Sequence, residues 1–395
     1  MGFSPRRRGG LGISLTVTAG IVGPLLVPLP AHAAVTCGQT ITTSTTLTGP
    51  LHCPGRTALF IGASNVILNL GGHTVSGTQA PEGEFGFSGV HIVSNRTGVT
   101  VRNGTIRGFD RGVTVQPGAT GALITGLTLD ANELGIGVFT AGSALGGRIV
   151  NNTISNTTRF SGIQLSGHAN RVEGNTFKDN ASTAVFLIGS RNVVLGNTIT
   201  GSGGNAVAIG PTPSTPGPFL ANQISSNKIS GSARVFTSSS ISLNNGEGTR
   251  VEGNTIVGRG TGPGSVPGVF VNNSANTVVS GNRVSNQGVG VFVRGGSAGT
   301  QLVRNMVERN GTGLTVSSFG DGPTPTATLV DGNTASDNGF DGIQVSVASA
   351  TVKGNLAYRN GNLGISAVNG VTDGGGNRAF GNGNPQQCSP SISCS

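Results

Sequence analysis

The chain has 395 residues, 69 of them glycine, with 10% charged residues, one tyrosine and no tryptophan. Its formal charge of +9 rests almost wholly on arginine, with lysine only at Lys178, Lys228 and Lys353. No basic cluster interleaves with aromatics, which excludes the usual nucleic-acid footprint and leaves an acidic polymer as the partner that mild basicity favours.

At the start of the chain, Arg6, Arg7 and Arg8 precede the apolar stretch Leu11 to Leu29, and Ala31-His32-Ala33 supplies small residues for cleavage. Residues 1–33 therefore read as a signal peptide, with 34–395 as the exported domain of a secreted, extracellular protein. Pro24, Pro28 and Pro30 argue against a membrane anchor there, and no later segment is a candidate span. Removing the three arginines leaves a charge of +6 (9 − 3). Arg7-Arg8 leaves both general and twin-arginine export open, since Gly9 and Gly10 follow where the latter turns hydrophobic.

Cys37 and Cys53 open the exported domain, and Cys388 and Cys394 close it. Two local disulfides, each clipping one end, are expected in an oxidising compartment. In the chain-entropy account the Cys37 to Cys53 loop contributes on the order of 3 kcal/mol. No histidine stands at ligand spacing from either pair, so a metal site is the poorer reading.

From Asn103 onward a unit recurs: a strand of the form Gly-Val-x-Val, a bend, a second strand ending in Gly-Asn-Thr-Ile, and a turn often containing Asn-Gly. The second strands read Ile149 to Ile154, Val172 to Phe177, Val194 to Ile199, Val251 to Ile256 and Val279 to Val284. Asn152, Asn175 and Asn197 follow one another at 23 and 22 residues, and Asn333, Asn355 and Asn377 at 22 each. The 30-residue interval from Asn197 to Asn227 contains Pro211, Pro213, Pro216 and Pro218, a loop bulging from one coil. Short strands with period-2 alternation at this repeat length predict three strands and three turns per coil. The fold class is thus all-β: a single-stranded right-handed parallel β-helix of about a dozen coils with disulfide-clipped ends, a rod of roughly 60 Å at the usual inter-strand spacing. The recurrent asparagine is expected to stack on itself and bond along the column, so the many Asn-x-Thr matches are by-products of a ladder and not glycosylation signals.

Cys37-Gly38-Gln39-Thr40, Val66 to Val75, Gly89-Val90-His91-Ile92 and Val101 to Phe109 resemble the opening of bacterial right-handed β-helix proteins of the pectate-lyase-like superfamily, over nearly the whole exported chain. That superfamily includes pectate lyases, polygalacturonases, alginate epimerases, phage tailspikes and a periplasmic nitrous oxide reductase accessory protein. The resemblance implies a polysaccharide ligand without specifying a reaction. The chain lacks the Asp-Asp and Asn-Thr-Asp elements of polygalacturonases, the Arg-x-Pro-x-x-Arg of pectate lyases and the Asp-Pro-His of alginate epimerases. Gly167-His168-Ala169 departs from the Gly-His-Gly of polygalacturonases, and Met306 alone is too little for a copper-handling role.

Alternation places His91, Thr114, Gly137, Gln164, Phe186, Ala208, Ser242, Phe270, Phe292, Thr315, Gln344 and Ser366 in one outward column, which contains no acid. Hydrolysis by paired carboxylates finds no support on that face. Beside it, Glu82, Glu84, Asp110, Arg111, Asp130, Glu133, Arg159, Lys178 and Asp179 precede successive first strands. For a lyase, His91, Arg111, Glu133 and Lys178 are the candidate catalytic residues, with Lys178 or Arg111 as base and Ca²⁺ held by Asp110, Asp130 and Glu133. Solvated turn residues forming surface ion pairs are the plainer reading of the same set, and of Asp331, Asp337, Asp341, Arg309 and Arg359 further on. Phe270 and Phe292, with Arg294 beside them, are expected to form a carbohydrate-binding strip unless a loop or partner covers them. Two functions survive: a non-catalytic rod that binds glycan or serves as a structural or adhesive surface element, and a polysaccharide lyase or glycoside hydrolase.

Overall fold

The computed structural model describes residues 1–2, 34–80, 86–139, 146–213, 215–233, 238–260, 266–319 and 322–395. All but the first two residues of the expected leader fall outside this set. Of two units, Met1–Ala34 and Val35–Ser395, the second carries all the described strands. Among the described residues there is no helix, and hence none long and apolar enough to cross a membrane.

The unit Val35–Ser395 is a parallel β-solenoid. One sheet contains fourteen strands, from Gln39–Ile41 to Ile365–Ala367, each paired in parallel with the strand one coil away. Two of the fourteen, Gln39–Ile41 and Leu59–Ile61, precede Gly89-Val90-His91-Ile92, where the outward column of the repeat pattern begins, which accounts for the expectation of about a dozen coils. Apart from the separate pair Phe219–Leu220 and Gly246–Glu247, the remaining strands form a second and a third rank, as in Val193–Leu195 and Thr198–Thr200. In Thr100–Arg107 and Leu123–Asp130 a single strand spans both ranks.

The Gly-Asn-Thr-Ile segment differs from expectation in one respect: it is a corner between two strands. Gly196 takes φ 62° at that corner, where a side chain is disfavoured, and the asparagine that follows turns its amide into the core. Asn197 is fully buried, and its Oδ1 accepts the backbone N–H of Asn175 at 2.9 Å and the Asn175 Nδ2–H at 3.1 Å. Asn197 Nδ2 donates to the Val172 carbonyl at 3.0 Å and to Asn227 Oδ1 at 3.0 Å. The same linkage runs unbroken through Asn152, Asn175, Asn197, Asn227, Asn254, Asn282, Asn305, Asn333, Asn355 and Asn377. A second ladder, Asn310, Asn338, Asn360 and Asn382, occupies the corner before the first strand and places Asn338 and Asn360 in structural roles.

Inside the solenoid, Val, Ile and Leu of every coil stack at zero or near-zero exposure, as in Val269, Val291 and Leu314. The glycine of Gly-Val-x-Val is set by a close approach. A Cβ on Gly342 would lie 2.6 Å from the Gly364 carbonyl oxygen and 2.7 Å from Asn360 Nδ2, so the first strand and the second ladder meet with no room for a methyl group.

Both expected disulfides are present, with Cα–Cα separations of 5.5 Å for Cys37–Cys53 and 6.3 Å for Cys388–Cys394. Cys388 and Cys394 bridge in parallel to Ile365 and Asn377, so the C-terminal segment closes the last coil. Asp373 fastens it, accepting the Ser393 N–H at 2.8 Å and the Gly375 N–H at 3.0 Å. Those backbone hydrogen bonds hold its carboxyl below the usual aspartate range.

Two outcomes follow from these contacts. Asn254→Ala takes the acceptor from the buried Asn227 N–H and a donor from the Ile224 carbonyl, and is expected to cost on the order of 3 kcal/mol by urea unfolding, against about 0.5 kcal/mol or less for the neighbouring exposed Thr255→Ala. Because Asp373 titrates low, its stabilisation is complete above the unfolded-state pKa and is lost as pH falls through the folded one. Hydrogen-exchange protection of the Ser393 amide is therefore expected to decline on acidification, and Asp373→Asn to remove that dependence.

Candidate functional site

Strand pairing aligns the outward column residue for residue as the alternation places it. His91 pairs with Thr114, Thr114 with Gly137, and so on through Phe186, Phe270 and Phe292 to Gln344 and Ser366. Thr40 and Phe60 extend it by two coils toward the N-terminus.

Phe270 and Phe292 lie on consecutive coils, with ring centroids 5.6 Å apart and planes tilted by 42°. The Arg294 guanidinium carbon sits 4.9 Å from the Phe270 ring centroid, and no acid among the described residues pairs with it. Both rings are partly exposed, and neither belongs to the core cluster. The proline-rich loop after Gly210 folds instead onto the corner after Ile241–Asn244, where the Phe219 N–H donates to the Asn245 carbonyl. Phe270 and Phe292 therefore stand side by side and partly exposed, with Arg294 against them.

Two positions along the strands, a second rank of Asn244, Asn272 and Arg294 runs beside Ser242, Phe270 and Phe292. Asn272 Nδ2 donates to Asn244 Oδ1 at 3.0 Å, which orients both amides. A row of aromatic faces flanked by a row of amides and a guanidinium can stack on an apolar ring face and hydrogen-bond to polar groups at its edge. The strands here run to six residues, Pro267–Asn272 and Val289–Arg294, and so carry both rows. The alternation that marks Phe270 and Phe292 also marks Asn244 and Asn272, which sequence reasoning passed over.

Of the candidate catalytic residues, His91 and Arg111 come together. The His91 ring lies 5.4 Å from Phe60, and burial first, then the Arg111 charge, lowers its pKa below the ordinary histidine value. Arg111 itself lies over the Phe139 ring at 4.9 Å. Glu133 pairs with Arg159 at 4.0 Å. Lys178 is exposed on the third rank between Ser155 and Thr200, on a different sheet from His91. The four do not form one constellation.

Asp110, Asp130 and Glu133 are likewise apart, and no group of three or more His, Cys, Asp or Glu among the described residues is placed to hold a metal. Asp110 accepts the N–H of Ala80 at 3.0 Å and of Phe87 at 2.6 Å, clamping the two ends of the segment that contains Glu82 and Glu84, which lie outside the described residues. Asp130 accepts from Ser155 Oγ and Asn156 Nδ2, each at 2.8 Å. The later acids also serve the fold. Asp337 receives the Arg359 guanidinium in two bonds, at 2.7 and 2.8 Å, and Asp341 accepts from Asn362 and the Leu363 N–H. His168 Nδ1 accepts the Ser190 N–H at 3.0 Å, a corner contact.

A parallel solenoid whose coils each add one strand to three ranks defines the class, and comparison assigns it. The chain belongs to the right-handed β-helix family: the right handed beta helix region matches residues 52–214 and 161–328, more than half of the chain. The tailspike protein of E. coli bacteriophage HK620, solved in complex with a pentasaccharide, shares the fold with a TM-score of 0.53 and 13% identity over 89% of this chain and 72% of that one. The A-module of a mannuronan C-5 epimerase from Azotobacter vinelandii aligns with a TM-score of 0.48 and 15% identity over 90% and 91%. A surface adhesin of Streptococcus pneumoniae aligns with a TM-score of 0.38 and 10% identity over 81% and 80%. No curated protein matches the sequence. At such identities the likeness extends to the fold, and the fold carries no particular reaction.

An NMR titration is expected to place the His91 pKa below that of an unstructured histidine. Arg111→Gln should raise it only part of the way back, since burial is the larger cause.

Proposed function

We propose that the protein is secreted and binds an extracellular acidic polysaccharide along the outward column of its fourteen-stranded sheet, without cleaving it. The observation that carries this reading is the Phe270–Phe292 pair with the Arg294 guanidinium across it. Sugar rings stack on the phenyl faces, the amides of Asn244 and Asn272 meet ring hydroxyls, and Arg294, which lacks an acidic partner among the described residues, takes a carboxylate. The HK620 tailspike protein, with its bound pentasaccharide, agrees with an oligosaccharide ligand on this fold. The two disulfides suit an oxidising extracellular setting.

A catalytic reading draws on His91. A neutral imidazole beside a guanidinium can take the proton α to a uronate carboxylate while the cation steadies that carboxylate, which is the demand of β-elimination. Glu133, engaged by Arg159, and Lys178, on another sheet, stand outside such a reaction.

Calorimetry of the exported domain with alginate, polygalacturonate and neutral dextran tests the two readings. The expected result is binding to an acidic polymer with no unsaturated or reducing-end product. Phe292→Ala should weaken binding about tenfold, the equivalent of roughly 1.4 kcal/mol. Arg294→Gln should weaken it and flatten its salt dependence. Product that disappears in His91→Ala would replace binding with a lyase or hydrolase.

A further inference from the structure

The Phe270–Phe292–Arg294 arrangement has a counterpart near the other end of the same face. Phe60 and His91 stand on consecutive coils of the same column, with rings 5.4 Å apart, and Arg111 on the next coil lies over Phe139 with its charge acting on His91. Each station consists of two neighbouring ring side chains and one arginine with no acidic partner among the described residues. Phe60, like Phe270 and Phe292, is partly exposed and outside the core cluster.

The strand order measures their separation. Phe60 lies on the second strand of the sheet and Phe270 on the tenth, so eight inter-strand steps, or about 38 Å, separate equivalent positions. Between the stations the column keeps partial exposure only at Gln164 and Phe186, while Thr114, Gly137, Ala208 and Ser242 are buried. The column itself therefore offers few contacts between its two ends, so two discrete stations describe it better than one continuous row.

We propose that the two stations engage one extended acidic polysaccharide chain at once, making the protein a two-point clamp for long polymers. This inference rests on the binding function proposed above. Because both stations lie in one in-register column, no rearrangement is needed to align them. Once one is occupied, a chain long enough presents its distal sugars to the other at high effective concentration. A shorter chain meets each station separately.

Calorimetry with size-fractionated oligosaccharides of the polymer that binds provides the test. Short oligosaccharides are expected to bind two per protein. Above the length that spans about 38 Å, the stoichiometry should fall to one and the affinity rise tenfold or more within a narrow range of lengths. In Phe60→Ala, and independently in the milder Arg111→Gln, one oligosaccharide should bind at every length and the rise should vanish, with thermal melting confirming that each variant is folded. A single site at all lengths in the unaltered protein, or an affinity that grows smoothly, would overturn the clamp while leaving the Phe270–Phe292 site standing. Absence of any oligosaccharide binding would overturn both.

Discussion

The structure depends on the asparagine amide at the corner between the second and third strand ranks. Each coil must turn sharply there with its backbone buried, and a buried donor or acceptor without a partner costs on the order of 1–3 kcal/mol. An amide side chain both donates and accepts, so the Oδ1 of one coil caps the N–H of the coil before it while the Nδ2–H reaches a carbonyl further back. Ten residues linked in this way pin ten corners to one line. The constraint acts only at that corner, so coil length is free elsewhere: Asn197 and Asn227 bond as closely as Asn175 and Asn197 although the former pair is 30 residues apart in sequence and the latter 22.

From that registration follows the flat outward face. Because the corners superpose, the second and fourth letters of each Gly-Val-x-Val fall inward and the third falls in one outward column, and side chains distant in sequence become neighbours one strand step apart. Phe270 and Phe292 are 22 residues apart and in ring contact, as are Phe60 and His91 at 31. The glycine at the head of the motif serves the same end, since a methyl group there would push the sheet off the second ladder.

Charge is distributed along the same lines. Glu173, Glu252, Glu308, Asp331 and Asp337 each hold an arginine or lysine close by, while Asp110, Asp341 and Asp373 accept backbone N–H groups. Exposed pairs of this kind add little stability apiece, but they neutralise the acids of the other faces. Arg294 and Arg111 lie against aromatic rings on the outward face, which places positive charge where the polymer is proposed to lie.

The sequence by itself determined the solenoid, the ladder and the membership of the outward column. All three depend on local periodicity: alternation decides which residues face in, and the spacing of a recurrent asparagine decides what stacks on what. The disulfide pairing was legible for the same reason, each pair being close in sequence. Only the tertiary structure decided which polar side chains are available for chemistry. Asp110 reads as a free carboxylate until the Ala80 and Phe87 amides are seen to converge on it, and Lys178 reads as a neighbour of His91 until the corner between them puts the two on different sheets. A hydrogen bond or a shared face depends on angles at the corners, and these arise from packing between coils that no single repeat contains.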